Sequence, residues 1–408
     1  MIKDLQLFYR AVMNLKTKMI ILAENLLTVK KIQMSKLKLF LLIFLGTAFL
    51  SQAQTDNGVL RMNEFRNPKK RQIIQIPNIA GYQTLKCDLH MHTVFSDGHV
   101  WPSVRVQEVW QEGLDVMAIT DHIEYTPHSA DVNVDHNRAW ELAKDMAAEN
   151  NLVFIKGTEI TRNTPPGHFN ALFIGDATEY IEDRANEKDK QAVMKAVEQD
   201  AFIFWNHPGW KVNSIEGSYE WIDFVDELKK ENNLHGIEVF NGFGFHKKAL
   251  DWAVDNNLTV MGTTDIHNLV AHDYNLGGYV HRSMTLVFAK ERTAESVREA
   301  LDAARTVAWA SKYIAGKEEH VRNLFNACVE LGTSFHTKGD KKFFEVRNNS
   351  DLYFELELES GNGTEKVTLF PQTTQVITAP ADQKSLTYKV VTAFIRSDKN
   401  LLVEFSLN

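Results

Sequence analysis

Cys87-Asp88-Leu89-His90-Met91-His92-Thr93-Val94-Phe95-Ser96-Asp97-Gly98 is the stretch around which the chain is organised. The apolar run Leu85 to Leu89 enters it, and Ser96-Asp97-Gly98 closes it as a turn, so it reads as a buried strand followed by a loop. Side chains two apart on a strand share a face, which puts Asp88, His90 and His92 together. A single histidine there would read as a satisfied core residue. Two on one face, bracketed by carboxylates, point to a metal site, because imidazole is the commonest metal ligand in proteins.

The sequence Asp88-Leu-His-Met-His-Thr, followed by Ser-Asp-Gly, resembles the opening motif of the PHP (polymerase and histidinol phosphatase) superfamily of metal-dependent phosphoesterases. The later motifs of that superfamily can be sought in order. Thr120-Asp121-His122 matches the second, Glu159 with Gly167-His168 the third, Asn206-His207-Pro208 the fourth, and Thr264-Asp265-Ile266-His267 the last. The resemblance implies nine ligands for three divalent ions. His90, His92 and Asp265 would hold one ion; His168 and His207 a second, with Glu159 bridging the two; Asp97, His122 and His267 the third. It also implies a distorted seven-stranded (β/α) barrel. The motifs span residues 88–267, about half of the chain that follows residue 53.

Working outward, apolar strand-like runs alternate with helical patterns from Leu85 onward. Strands are expected at Asp115–Ile119, Leu152–Ile155, His168–Ile174, Ala201–Trp205, His235–Phe240, Leu258–Thr263 and Met284–Phe288, the last of these taken as the final strand. Helices are expected from Pro102 to Gln111 and at Asn137–Asn150, Lys188–Gln199, Tyr219–Lys230, His246–Asn256 and Ala294–Ala304. Such alternation argues for an α/β fold with a parallel sheet, closed or nearly closed into a barrel. Independently of the family, the first, second, fourth and last motif histidines lie at or beyond the carboxyl end of an apolar run. Barrel enzymes place their sites there.

Glu318–Leu331 reads as a bridging helix. After it come short alternating runs at Phe343–Val346, Tyr353–Leu358, Val367–Phe370, Val376–Thr378, Thr387–Phe394 and Leu401–Phe405, with turns at Gly361-Asn362-Gly363 and Asp398-Lys399-Asn400. This is the pattern of a small all-β sandwich. Its expected role is packing or positioning, with substrate or wall binding the alternative.

At the other end, Met34-Ser-Lys-Leu-Lys precedes an apolar run from Leu39 to Leu50 and then Ser51-Gln52-Ala53, matching a signal peptide with cleavage near Ala53. The run is too short to span a bilayer. The expected division is therefore 1–33 an upstream over-call of the reading frame, 34–53 signal peptide, 54–83 an N-terminal strap, 84–316 the barrel, 317–335 the bridging helix and 336–408 the sandwich. The mature protein is expected to be periplasmic or secreted, without a stable membrane anchor.

Removing residues 1–53 takes away 8 basic and 2 acidic residues, leaving 37 basic against 51 acidic and moving the formal charge from −8 to −14. Proteins that hold a long nucleic acid usually show a basic face, so a chain this acidic is not expected to bind one. A small-molecule phosphate ester is the expected partner. The two cysteines, Cys87 and Cys328, make no disulfide framework.

Imidazole with carboxylate suits manganese, iron or zinc, and no thiolate points to a structural zinc. Three such ions bring six positive charges against the three carboxylates Asp97, Glu159 and Asp265. A local excess of about +3 remains, reduced to about +2 by a bridging hydroxide. That hydroxide is the expected nucleophile. The expected activity is hydrolysis of phosphodiesters by an exported metal-dependent phosphoesterase, like the secreted PHP enzymes that act on organophosphate diesters. The alternatives are a phosphomonoesterase of the histidinol-phosphatase type and a non-catalytic metal-holding binding module. Glu159 and Asp265 are the expected catalytic carboxylates, and Arg162 is a candidate clamp on a phosphate oxygen. Asp88 is a candidate partner for a ligand histidine, while Asp121 reads as structural. His99, His128, His136 and His272 are loop histidines, any of which could protonate a leaving group. Tyr125, Trp205, Trp210, Phe243, Phe245 and Tyr274 would give the site an aromatic rim, favouring an organic ester.

Overall fold

The computed structural model describes residues 13–16, 18, 70–79, 81–133, 135–162, 167–178, 191–210, 219–276 and 280–407. The chain divides into two compact units, Met1–Pro68 and Lys69–Asn408. The expected signal peptide, the over-call apart from a short helical piece at 13–16 and 18, and the strap as far as Lys69 lie outside the described residues. So do residues 188–190 of one expected helix.

Strand β1 (Gln83–Asp88) is the centre of the second unit. Two parallel neighbours follow on one side: β2 (Val116–Ile119) and β3 (Val153–Ile160). Helices α1 (Pro102–Gln111) and α2 (Arg138–Glu149) make the crossovers, α1 beginning on Pro102, where a missing N–H costs nothing. The sheet is not all parallel as expected. Strand β4 (Phe169–Leu172) runs antiparallel to β3, because the eight residues between them are too few for a helical crossover. Strand β5 (Phe202–Trp205) is antiparallel to β4 and is followed by β6 (Gly236–Asn241), β7 (Gly244–Phe245) and β8 (Thr259–Thr263). Strands β5, β6 and β8 are mutually parallel in that order. Helices α3 (Gln191–Glu198), α4 (Asp223–Lys230) and α5 (Lys247–Asp255) cover them, each burying an apolar stripe such as Phe224, Val225 and Leu228. The sheet curls back on itself: a parallel bridge joins Met91 to Ile266, and the Asp265 N–H donates to the His90 carbonyl at 2.9 Å.

Beyond the short α6 (Val270–Asp273), β9 (Met284–Ala289) pairs antiparallel with the other edge of β1. It is not the last strand. After α7 (Ala294–Asp302) come β10 (Thr306–Ala310) and β11 (Tyr313–Gly316), an antiparallel pair that extends the sheet. Small residues such as Ala308, Ala310 and Ala315 blur the apolar signal there, which is why the sequence pattern passed over both strands.

Helix α8 (Glu318–Cys328) stops at Cys328 instead of running to Leu331, and β12 (Val329–Lys338) follows directly. With β13 (Lys341–Asn348) and β16 (Thr374–Pro380) it makes one sheet of the C-terminal domain. The second sheet contains β14 (Phe354–Ser360), β15 (Lys366–Leu369), β17 (Ser385–Phe394) and β18 (Asn400–Ser406). All six expected strands are present. This second sheet is continuous with the main one, because β17 pairs parallel with β11 through Ile314–Ala393 and Ala315–Phe394. Apolar packing reinforces the seam: Phe325 of α8 meets Phe354 with ring centroids 5.1 Å apart, and Phe245 meets Phe394 at 5.0 Å. The strap contributes as well, since Gln75 and Asp351 exchange backbone and side-chain hydrogen bonds of 2.7 and 2.8 Å.

Candidate metal centre

The parallel strands deliver their loops to one face of the sheet. His90 and His92 follow β1, His122 follows β2, His207 follows β5, and Asp265 and His267 follow β8. Glu159 is the penultimate residue of β3. His168 stands at the amino end of β4, and because that strand is antiparallel, its amino end reaches the same face. The nine expected ligands thus collect in three overlapping groups: His92, Asp97, His122 and His267; His90, His92, Glu159 and Asp265; Glu159, His168 and His207. His92 belongs to two groups, and so does Glu159.

The central group is tight. His90 Nε2 lies 2.9 Å from Glu159 Oε2, 3.1 Å from Asp265 Oδ1 and 3.1 Å from His92 Nε2. His92 Nε2 lies 3.2 and 3.0 Å from the same two oxygens. Asp97 Oδ1 faces His267 Nε2 at 3.0 Å and His122 Nε2 at 3.4 Å. Glu159 Oε1 is 2.9 Å from His168 Nδ1 and 3.8 Å from His207 Nε2.

These distances test whether metal ions fit. Donors about 2.1 Å from one ion and at right angles stand about 3.0 Å apart, matching the central group. The tautomers agree. His90 Nδ1 lies 2.7 Å from Glu238 Oε1 and so carries the proton, leaving the Nε2 lone pair directed at two carboxylates and another imidazole. Donor atoms converging in a largely buried space call for positive charge between them, protons in the metal-free protein or a metal ion in their place. Asp97 Oδ1 faces two imidazole nitrogens, His267 Nε2 and His122 Nε2, a donor set that a divalent ion would hold together. The residues fit divalent ions.

Electrostatics follow from this crowding. Burial opposes charge on His92, but its hydrogen bonds to Asp265 and Glu159 prevail and push it up to about 9. Burial likewise opposes the ionised form of Asp97, yet the hydrogen bond with His267 and the nearby imidazoles hold it down at about 2. Burial dominates at His122 and pushes it down to about 3, so its imidazole is neutral and ready to ligate.

Several residues that the sequence reading did not single out hold this arrangement. Glu238 on β6 also accepts from the His207 backbone N–H at 2.7 Å and from Thr263 Oγ1 at 2.6 Å. Arg105 of α1 donates to the carbonyls of His92 and Ile266 at 2.9 and 3.0 Å, tying the β1 loop to the β8 loop. Glu238 carries a sequence signal, a carboxylate inside the apolar run His235 to Phe240. Arg105 carries none beyond lying on the inner face of a helix. Asp88 does not orient a histidine ring; it accepts from the backbone and hydroxyl of Thr264 and pairs with Arg282 at 3.0 Å. Asp121 pins the ligand loop by accepting from Thr93 and Ser96. A Cβ at Gly98 would meet His92 C and Thr93 N at 2.7 Å, so only glycine closes that loop. His207 and Asp265 both have positive φ, 25° and 54°, backbone strain of the kind concentrated at functional sites.

Arg162 takes a different place from the clamp expected of it. Its guanidinium is buried, with Nη1 2.6 Å from Glu124 Oε1. His99 and His128 pack edge to face at 5.9 Å, and the His99 ring binds Asn268 rather than the nine ligands. Trp210 stacks its edge against His168 and His207 at 5.1 and 5.2 Å, and Tyr125 lies 6.1 Å from His122, giving the centre an aromatic border.

Comparisons with known proteins identify the family. A crystal structure of a two-domain protein from Bacteroides vulgatus ATCC 8482, described as containing a predicted PHP-like metal-dependent phosphoesterase, is 39% identical, covers 84% of this chain and 100% of its own, and superposes with a TM-score of 0.78. The chain belongs to the PHP-like metal-dependent phosphoesterases. Residues 329–406 match the family model of an Ig-like domain, which identifies the C-terminal domain. A candidate metal-dependent phosphoesterase from Bifidobacterium adolescentis ATCC 15703 is 17% identical over 53% of this chain and 95% of its own, with a TM-score of 0.37. An amidohydrolase from Chromobacterium violaceum is 16% identical over 47% and 90%, with a TM-score of 0.34. Neither of these weaker likenesses bears on the fold. No curated protein matches the sequence.

Proposed function

We propose that the protein is an exported phosphodiesterase whose nine donors hold three divalent ions of manganese, iron or zinc, on the distorted seven-stranded barrel typical of its family. The observation that carries this reading is the overlap of three donor groups through His92 and Glu159. Divalent ions held there would neutralise a phosphate and lower the pKa of water enough to supply hydroxide near neutral pH. Glu159, with Oε2 toward His90 and His92 and Oε1 toward His168 and His207, would serve ions in two of these groups. Asp265 faces His90 and His92 with Oδ1 and His207 with Oδ2.

The preference for a diester rests on the surroundings of the ions. Among the described residues, no lysine or arginine forms an ion pair with any of the nine ligands, and the nearby Arg105 and Arg162 are already engaged with Glu108 and Glu124, so no side-chain cation beyond the ions themselves is set to favour the second charge of a monoester. The aromatic border formed by Trp210 and Tyr125 favours an organic ester group. Export rests on the signal-like pattern of residues 34–53.

The test compares bis(p-nitrophenyl) phosphate with p-nitrophenyl phosphate on the metal-loaded protein. A higher kcat/KM for the diester is expected. A preference for the monoester would overturn the diesterase reading, and no hydrolysis of either with any of the three metals would overturn the reading as a whole.

A further inference from the structure

A cavity of about 340 Å³ opens beside the hairpin that joins β6 to β7. Its walls come from the hairpin itself, from the segment after α6, from the start of β9 and from the turn between β10 and β11. Each of these lies at the face that carries the metal ligands, since β6 ends there and the antiparallel strands β9 and β10 respectively begin and end there. The connection is direct. Asn241 donates to Asp265 Oδ2 at 3.4 Å and to Glu238 at 2.9 Å, and the next residue, Gly242, is already part of the cavity wall. The Gly242 N–H donates to the carbonyl of Thr263, two residues before Asp265.

The wall is uncharged and mostly apolar. No Asp, Glu, Lys or Arg lines it, and burial pushes its one imidazole, His281, below the ordinary range and so toward the neutral form. The floor is fixed by Phe245, which packs on Phe240 at 4.7 Å and on Phe394 of the Ig-like domain at 5.0 Å. Gly242, with φ +53°, turns the hairpin so that Phe243 stands 79% exposed, its ring leaning on Tyr274 at 4.8 Å. Leaving an aromatic ring in water next to a cleft is unfavourable unless something covers it. The volume lies at the lower end of the range for small-molecule sites. A second phosphate finds no charge here, and of the small polar side chains in the wall, Asn275, Ser283 and Ser311, the Ser283 hydroxyl is already engaged with the Gly242 carbonyl.

We propose that this cavity is the subsite that receives the uncharged, apolar organic group of the ester, with Phe243, Tyr274 and Val280 as its contact surface and Phe394 of the Ig-like domain buttressing its floor. The proposal rests on the hydrolytic reading above and adds the substrate class: phosphoesters carrying an aryl or alkyl group, in preference to sugar or nucleoside esters.

The test measures binding, so that it does not depend on turnover. Methylphosphonate and phenylphosphonate, whose P–C bonds are not hydrolysed, are titrated calorimetrically into the full Mn²⁺-loaded protein. Phenylphosphonate should bind the parent at least about tenfold more tightly, a step of the size that a hydrophobic pocket delivers. Phe243→Ala, at an exposed position that does not endanger folding, and Val280→Trp, which fills the cavity, should each cut that preference to within about twofold. Equal affinity of the parent for the two ligands, or a preference retained by both variants, would overturn the subsite while leaving the diesterase reading intact if bis(p-nitrophenyl) phosphate is still hydrolysed. Binding of neither phosphonate, together with no hydrolysis of any ester, would overturn both.

Discussion

His90 Nδ1 and Glu238 Oε1 stand 2.7 Å apart with both side chains fully buried, so the ring that presents Nε2 to the metal centre is fixed from behind by a carboxylate on a different strand. The same carboxylate holds the His207 backbone and Asn241, coupling ligands of two donor groups. Glu238→Gln keeps the shape but removes the charge that stabilises the Nδ1–H tautomer. It should lower affinity for Mn²⁺ by roughly 10- to 100-fold, the usual effect of losing such a partner. Calorimetric titration of metal into the stripped variant and parent checks this; matching affinities would show that Glu238 does not set the ligand's orientation.

Glu159 is shared between two donor groups, whereas Asp97 belongs to one. Glu159→Gln should therefore reduce the retained metal at two sites together, while Asp97→Asn reduces it at one. With bis(p-nitrophenyl) phosphate as substrate, the larger rate loss is expected for Glu159→Gln, on the order of 10² to 10³ or more. Elemental analysis beside the rate assay separates the two. Equal activity of Glu159→Gln and the parent at matched metal content would place the bridge elsewhere.

Metal binding should release protons. In the metal-free protein His92 is held up at about 9, so at pH 7 it carries a proton that an ion must displace. Affinity should accordingly fall as the pH drops below 9, by up to about tenfold per pH unit for each proton displaced. Titrations of Mn²⁺ at pH 7 in two buffers with different ionisation enthalpies give the proton count. A count of zero would contradict the charged state assigned to His92.

The Ig-like domain is welded to the sheet through β11 and β17 and by Phe325 against Phe354. Ending the chain at Cys328 removes none of the nine ligands but strips the partner from β11 and uncovers Phe325 and Ile314. Exposing two such side chains costs about 1.5–3 kcal/mol each. The melting temperature should therefore fall by roughly 10 °C or more in a unit of this size. Scanning calorimetry of the truncated and full chains, each loaded with Mn²⁺, reads the shift. An unchanged transition would mean that the seam contributes nothing to the first domain's stability.

The sequence by itself picked out the nine His, Asp and Glu residues that the fold brings together, and the alternation of most strands and helices. Both are local: a period-two pattern puts His90 and His92 on one face, and the first, second, fourth and last motif histidines sit just past an apolar run, at a strand's end. It also determined the six alternating strands from Lys341 onward, because a strand with one dry face writes its period into the chain. Tertiary structure decided the rest. Strand β4 turned out antiparallel because the length of a connection, not the composition of the strand, sets its direction. Strands β10 and β11 are fixed by pairing with β9, through backbone hydrogen bonds that leave no pattern in alanine-rich segments. Glu238 and Arg105 gained their roles from contacts across 148 and 161 residues of sequence, to His90 and Ile266. Arg162 lost its expected role to Glu124, a buried partner 38 positions away that only the folded chain brings within reach. Single side chains announce what they can bind, but which atom meets which is settled by packing, where every buried charge must find its partner.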